Sequence, residues 1–235
     1  MAKEGPSASF SISAYGTKAE TSDVRSRIVN DEYQKAFNEV LARVQQSLEG
    51  SQPSVFPIRM YIAGGAALHL LTGARVTEDI DASFSKRVLF NEDIEVSYRD
   101  PDGRARLMYL DRNYNDTLGL LHENAYGESR PIDVPGIDKN ILEVRVLSPV
   151  DLAVAKLARF ADQDRDDIRL LAQRGLIDSA AVRKRAEEAL GGYVGNIEAV
   201  KTSINIACQV IDAELPASAG RGKPAPGRPR RTPRP

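Results

Sequence analysis

Two aspartates one residue apart are the clearest chemical signal in the sequence. Asp79 and Asp81 belong to the segment VTEDIDASF, in which polar and apolar residues alternate as in a β-strand. On a strand both carboxylates project from one face, while Ile80 between them points into the core. Neighbouring carboxylates repel each other unless a cation lies between them. Oxygen ligands without cysteine or histidine favour Mg²⁺ or Mn²⁺, so we expect these aspartates to bind such an ion.

Two glycines precede the aspartates. Gly64 and Gly65 end the apolar run VFPIRMYIAG and open a short helix-favouring stretch that Gly73 ends. A helix N-terminus without a Cβ atom leaves backbone N–H groups open to an approaching phosphate. Taken singly, a glycine pair is typical of a tight turn, and Asp-x-Asp of an exposed strand edge. Because Mg²⁺ is usually held by one or two carboxylates plus substrate phosphates, their combination in one strand-helix-strand unit predicts a site for a nucleoside triphosphate and its metal.

The hydrophobic pattern divides the chain into an α/β front half and a helical back half. A helical period from Asp31 to Gly50 predicts an amphipathic helix. Further strands are predicted by IEVSYRD, ARLMYLD, DTLGLLHE and, from Ile141, ILEVRVLS. From Pro149 onward helices are predicted by PVDLAVAKLARFA, DRDDIRLLAQRG, DSAAVRKRAEEALGG and VGNIEAVKTSINIACQVIDAEL. We therefore expect an α/β fold, a mixed sheet with flanking helices, followed by a helical C-terminal part.

The segment GGAALHLLTGARVTEDID resembles the nucleotidyltransferase superfamily, whose pattern is a strand ending in Gly-Gly or Gly-Ser, a short helix, and Asp-x-Asp on the next strand. Its variant here is similar to the branch that contains the AbiEii and MenT-type toxins of bacterial toxin-antitoxin systems. A second block, LSPVDLAVAKLARFADQDRDDIRLL, agrees with that branch. The resemblance covers about residues 58–175 and implies a nucleotidyltransferase-like domain.

The resemblance implies roles for the matching residues of the first block. Gly64 and Gly65 would cradle the triphosphate, while Asp79 and Asp81 would bind the metal ions that bridge it and activate the acceptor hydroxyl. Two further residues, Arg75 and Thr77, match the motif just before the carboxylates. The threonine would hydrogen-bond a phosphate, although a β-branched residue there also suits a strand.

The second block supplies a cation. Lys156 follows a helix start for which Ser148 is the expected N-cap, and the resemblance implies that it contacts nucleotide phosphate. Asp164 and Asp167 share a helix face, where they either orient Lys156 or Arg165 or are simply solvated.

A third carboxylate usually completes the metal site in this superfamily, or acts as the base toward the acceptor. Two candidates are open. Asp116 begins DTLGLLHE at about the expected distance, and we prefer it as the third catalytic acid. Asp133, in PIDVP, lies between prolines that disfavour a central strand.

The charge is unevenly distributed along the chain. The net charge is −1, yet residues 216–235 carry six Lys or Arg, six prolines and no acid, which leaves −7 for residues 1–215. We expect this tail to be disordered and to serve either as an electrostatic arm for RNA or as a solubilising segment. The expected organisation is a flexible leader (1–25), a nucleotidyltransferase-like domain (26–148), a helical part (149–215) and the tail (216–235).

Composition limits the other function classes. A single cysteine, Cys208, excludes an internal disulfide and a cysteine zinc site, and there are only two histidines. The sequence shows no signal peptide and no membrane span, so we expect a cytoplasmic protein. The predicted activity is Mg²⁺- or Mn²⁺-dependent transfer of a nucleoside monophosphate from NTP to a hydroxyl of tRNA or protein, by a toxin with an antitoxin partner. The alternative is a catalytically inactive relative that binds a nucleotide or a partner protein.

Overall fold

The structure is a computed structural model that describes residues 24–49, 52–74, 76–100, 102–114 and 119–214, with the backbone alone for residues 24–30. The helices are α1 (Val24–Leu48), α2 (Gly64–Thr72), α3 (Ala125–Glu128), α4 (Pro149–Ala155), α5 (Asp162–Gln173), α6 (Ser179–Ala189) and α7 (Ile197–Glu214). The strands are β1 (Ile58–Ile62), β2 (Ala82–Phe84), β3 (Ile94–Arg99), β4 (Ala105–Leu110), β5 (Arg130–Pro131) and β6 (Leu142–Val146). This is the expected α/β fold with a helical C-terminal part.

The sheet is mixed, as predicted. Its strand order is β2-β1-β6-β5, in which β1 is antiparallel to β2 and parallel to β6, while β5 is antiparallel to β6. The hairpin of β3 and β4 joins this sheet through a parallel bridge between Asp79 and Tyr109. In that bridge the N–H of Ile80 donates to the Tyr109 carbonyl at 3.0 Å, and the N–H of Tyr109 donates to the Glu78 carbonyl at 2.8 Å. The segment that carries the aspartates therefore runs between β4 and β1.

The second predicted strand is shorter than expected. Of VTEDIDASF, only Ala82–Phe84 forms a regular strand, and Asp79 contributes an isolated bridge. Ile80 is nonetheless buried, as the alternation predicts. The chain changes partner between the two bridged regions, from β4 to β1, which explains why a single regular strand does not form.

The helices pack around one continuous hydrophobic core. The predicted apolar stripe of α1 is buried, and this helix packs against the β3–β4 hairpin. Helix α2 packs against α4 and α5, so the front and back halves share the core. Among the described residues, none of the helices combines the length and apolar character that crossing a membrane requires.

The start of α4 is fixed by buried hydrogen bonds that link Ser148, Asp151 and Arg185. Ser148 is its N-cap, as predicted, and accepts a hydrogen bond from the N–H of Asp151 at 3.0 Å. The Asp151 carboxylate is 1% exposed and accepts a hydrogen bond from Nε of Arg185, on α6, at 2.7 Å. Because a buried carboxylate is stable only when paired, this contact fixes α4 against α6.

Two sequence predictions are wrong in their extent. The described part of DTLGLLHE, residues 119–123, is irregular rather than a strand. The chain passes so close to the end of α4 that a Cβ atom on Gly119 would lie 2.3 Å from the Ala155 carbonyl oxygen. The helix predicted by PVDLAVAKLARFA ends at Ala155, and Phe160 has a φ of 49°, which turns the chain into α5.

The expected leader and basic tail lie outside the described residues, except that Val24 and Arg25 begin α1.

Candidate functional site

A cleft of about 480 Å³ lies where the aspartate segment, the start of α2 and the end of α4 meet. Its charged lining comprises Asp79, Asp81, Asp111, Asp164, Lys156 and Arg159. Gly64 lines it as well. The cleft thus brings together the first glycine, both aspartates and the lysine of the two sequence blocks.

Gly64 lies directly against the second aspartate. A Cβ atom built on this glycine would be 1.6 Å from Oδ2 of Asp81, and the glycine φ of +57° is one that other residues rarely adopt. The N–H of Ala63 donates to the Asp81 backbone carbonyl at 2.8 Å, which keeps the two segments together. Any side chain at position 64 would therefore displace the carboxylate. The N-terminus of α2, nine residues long, lies beside this contact.

Gly65 has a different neighbour. A Cβ atom there would be 2.9 Å from the Cβ of Thr77, so the second glycine lets the threonine pack against α2. The Thr77 hydroxyl donates to the Asp79 carbonyl oxygen at 3.2 Å, and Thr77 is not among the residues that line the cleft. Thr77 therefore links the aspartate segment to α2, and it does not lie in the cleft where the expected phosphate contact would be made. Arg75, the other residue of the motif, lies outside the described residues.

Asp79 is surrounded by negative charge. Burial, then the charge of Asp81 and then that of Asp111, hold the pKa of its carboxyl above the ordinary value. A raised carboxyl pKa means that the surroundings disfavour the ionised form, which a bound cation would restore.

Asp111 is the carboxylate that the sequence analysis missed. It directly follows β4, and its Oδ1 accepts a hydrogen bond from the N–H of Asn113 at 2.7 Å. Residues two apart on a strand share a face, so Asp111 follows Tyr109, the residue bridged to Asp79, on the same side of the sheet. The available signal was the acid that ends ARLMYLD, but only the pairing of β4 with the Asp79 segment reveals its position.

The sequence offered two candidates for the third carboxylate, Asp116 and Asp133, and the structure describes only the second. Asp116 lies outside the described residues. Asp133 follows the edge strand β5, its side chain is 81% exposed, and it forms an ion pair with Lys139. It does not line the cleft, because the edge of the sheet turns it toward solvent.

Lys156 enters the cleft from the C-terminal end of α4. Its Nζ donates to Oδ2 of Asp167 at 2.6 Å and lies 3.6 Å from Oδ1 of Asp164. The side chain is only 10% exposed. Of the alternatives open for the two aspartates, their burial excludes simple solvation, and they hold Lys156. The other cation considered, Arg165, instead stacks over Phe160 at 5.0 Å from the ring centroid.

Arg159 is a second cation that the sequence analysis did not single out. Its Nε and Nη2 donate to the two carboxylate oxygens of Asp164 at 2.9 and 2.7 Å. Burial alone would raise the pKa of Asp164, but the hydrogen bonds from Arg159 and from the N–H of Ala161, with the charge of Lys156, lower it overall. The carboxylate thus stays ionised and anchors both cations of the cleft.

The donor set fits Mg²⁺ or Mn²⁺ in one particular way. Within the described ranges, no group of three or more His, Cys, Asp and Glu side chains is arranged to hold a metal ion by itself. Mg²⁺ does not need such a cage, because it is usually bound by one or two carboxylates together with substrate phosphates. Asp79 and Asp81 would supply those carboxylates, and the raised pKa of Asp79 agrees with a cation-binding position.

A family model described as "Nucleotidyltransferase of unknown function (DUF6036)" matches residues 35–203. The match covers more than half of the chain and includes every charged residue of the cleft lining. No curated protein and no solved structure matches the chain.

Proposed function

The chain belongs to this nucleotidyltransferase family, and from that premise we propose that it transfers a nucleoside monophosphate from a nucleoside triphosphate to an acceptor hydroxyl, with Mg²⁺ or Mn²⁺ as cofactor. The observation that carries the proposal is the contact between Gly64 and Asp81. The carboxylate occupies the space that a side chain at position 64 would take, beside the N-terminus of α2. A phosphate-binding helix end and a cation-binding acid thereby share one cleft.

In this mechanism Asp79 and Asp81 hold the cation, and the backbone N–H groups at Gly64 and Gly65 bind phosphate oxygens. The cation, when bound, neutralises charge on the triphosphate and favours ionisation of the acceptor hydroxyl. Lys156 adds a positive charge on the side of α4. These groups fix the phosphorus between the acceptor and the leaving pyrophosphate, which is most of what phosphoryl transfer requires of a protein.

Asp111 is the group that we assign as the base. Its carboxylate would take the proton from the acceptor hydroxyl as the new oxygen–phosphorus bond forms and the bond to pyrophosphate breaks. Asp116, which lies outside the described residues, stays the second candidate for this role. The absence of a third carboxylate would favour the inactive binding module. The presence of Asp111 in the cleft therefore supports the enzyme over that alternative.

The acceptor is proposed from the sequence. The resemblance of GGAALHLLTGARVTEDID to AbiEii and MenT-type toxins supports tRNA or a protein side chain as acceptor, and an antitoxin as partner. The six Lys and Arg residues of the tail support RNA, since cationic segments bind phosphate backbones without regard to sequence. We therefore propose an RNA hydroxyl as the acceptor and protein as the second possibility.

The test is label transfer by the purified full chain. The protein is incubated with each α-labelled NTP, Mg²⁺ and total tRNA, and the products are separated so that labelled RNA and labelled protein are distinguished. We expect Asp79→Asn and Asp81→Asn each to reduce transfer on the order of 100-fold or more, because each removes a cation ligand needed in the transition state.

The matched control is Asp133→Asn, the same substitution at an exposed carboxylate outside the cleft. It should leave transfer unchanged. Equal activity of the Asp79 and Asp81 variants and the wild type would refute the assignment. NTP binding by the wild type without any labelled product would instead favour the inactive binding module.

A further inference from the structure

We infer that Arg159 forms a subsite for the terminal phosphates of the nucleoside triphosphate and is held ready for them by the buried carboxylate of Asp164. This inference rests on the proposed function. It assigns a residue to the part of the substrate that leaves as pyrophosphate, and it therefore concerns both substrate binding and preference for triphosphates.

The charge of the cleft calls for such a residue. Four aspartates and two cations line it, so the lining is net negative. Asp79 and Asp81 would hold a metal ion, whose positive charge would offset the charge of those acids and of the nearest phosphate. The phosphates that extend beyond it need cations of the protein, and among the described residues of the lining only Lys156 and Arg159 are cationic.

The two cations differ in how fully they are already engaged. Lys156 is 10% exposed and has carboxylate oxygens of two aspartates within 3.6 Å. The Arg159 side chain is 73% exposed and contacts the single carboxylate of Asp164. It uses Nε and Nη2 for that contact, and within the described residues Nη1 has no hydrogen-bond partner. Arg159 thus presents unused donors to the cleft.

Asp164 fixes the orientation of the Arg159 guanidinium. The carboxylate is 1% exposed, and both its oxygens accept from the guanidinium. A two-point contact fixes the plane of the guanidinium, so little side-chain freedom remains to be lost when a ligand binds. Arg159 and Asp81 line the same cleft. The hydrogen bond and charge of Asp164, with a smaller contribution from the charge of Asp81, raise the pKa of Arg159.

The position of Arg159 indicates which phosphates it contacts. Asp79 and Asp81 would hold the cation, so the phosphorus that is transferred would lie on their side of the cleft. The two phosphates beyond it then extend toward the cations of α4 and the α4–α5 connection. Lys156 is at depth and Arg159 is at the rim, so the outermost phosphates meet Arg159. The planar fork of arginine matches phosphate oxygens, and a lysine cannot hold Asp164 in the same way while reaching a phosphate.

The experiment measures the binding of phosphate-chain probes to the full chain. Calorimetry in the presence of Mg²⁺ gives dissociation constants for inorganic pyrophosphate, for the NTP and for the corresponding NMP. We expect Arg159→Ala to weaken binding of pyrophosphate and NTP by about 10- to 100-fold, the range of a lost hydrogen bond between charged groups. NMP affinity should change less than about twofold, which also shows that the variant is folded. Arg159→Lys should recover part of the loss.

The matched control is Arg165→Ala. Arg165 is a nearby arginine that pairs with Asp162 at 3.2 Å and does not line the cleft, so its removal should leave all three affinities unchanged. Wild-type pyrophosphate and NTP affinities in Arg159→Ala would overturn the subsite alone, as would an equal loss of NMP affinity. A wild-type protein that neither binds nor transfers NTP would overturn the proposed function, and this subsite with it.

Discussion

Asp79, Asp81 and Asp111 bring three negative charges together, which costs folding free energy until a cation offsets it. Gly64 determines how closely they can meet the helix end, because its missing side chain admits the Asp81 carboxylate. At the scale of single residues, the site therefore depends on the lack of a Cβ atom at Gly64 as much as on the three aspartates.

Gly64→Ala tests this dependence. The new methyl group would collide with Oδ2 of Asp81, and the alanine backbone would be strained at the positive φ of this position. We therefore expect transfer to be lost and the free energy of unfolding to fall. Gly103→Ala is the matched control. Gly103 also has a positive φ, +76°, but a Cβ there has open space around it and lies in the β3–β4 turn. It should cost about 1–2 kcal/mol of stability by urea unfolding without loss of transfer. Full activity of Gly64→Ala would contradict the geometry.

At the scale of elements, the cations are positioned by the junction of α4 and α5. Asp164 begins this arrangement in the first turn of α5, where it accepts hydrogen bonds from Arg159 and from the N–H of Ala161. Asp167, one turn later, holds Lys156. The buried ion pair between Asp151 and Arg185 fixes the N-terminal end of α4.

Asp164→Asn should destabilise the protein by about 1–3 kcal/mol at pH 7, because it weakens hydrogen bonds between charged groups. The folded pKa of Asp164 is lowered from its ordinary 3.8, so its contribution is complete above that value and is lost as the pH falls through the folded pKa. The difference between wild type and variant in urea unfolding should therefore shrink in acid. Asp166→Asn, at an exposed ion pair of the same helix, should change little at either pH. A pH-independent difference would contradict the role of the Asp164 charge.

Local patterns predicted the elements that local interactions determine. The diglycine, its helix and Gly73 at the helix end were visible in the sequence, as were the Ser148 cap and the stripe of α1. The position of Asp111 was not, because it depends on the pairing of β4 with the Asp79 segment across about thirty residues of chain. Arg159 was missed for a similar reason, since only the turn at Phe160 brings it back onto Asp164. The strand prediction fails for the described residues 119–123 of DTLGLLHE, because at Gly119 the chain passes too close to the end of α4.

At the scale of the whole molecule, one core joins the sheet half to the helical half, and the cleft lies at their boundary. The aspartates and glycines come from the sheet side, while the cations come from α4 and its connection to α5. Such a division allows the two sides to meet a single polyphosphate from opposite directions. In the sequence, residues 1–215 carry a net charge of −7, and residues 216–235 carry six Lys or Arg residues and no acid.

The most direct measurement is a crystal structure of the full chain with Mn²⁺ and a non-hydrolysable NTP analogue. We expect an anomalous peak for a Mn²⁺ ion that is bound by the carboxylates of both Asp79 and Asp81, with the triphosphate against the backbone N–H groups at Gly64 and Gly65. Mn²⁺ bound away from these aspartates, or a triphosphate that does not contact the start of α2, would contradict it.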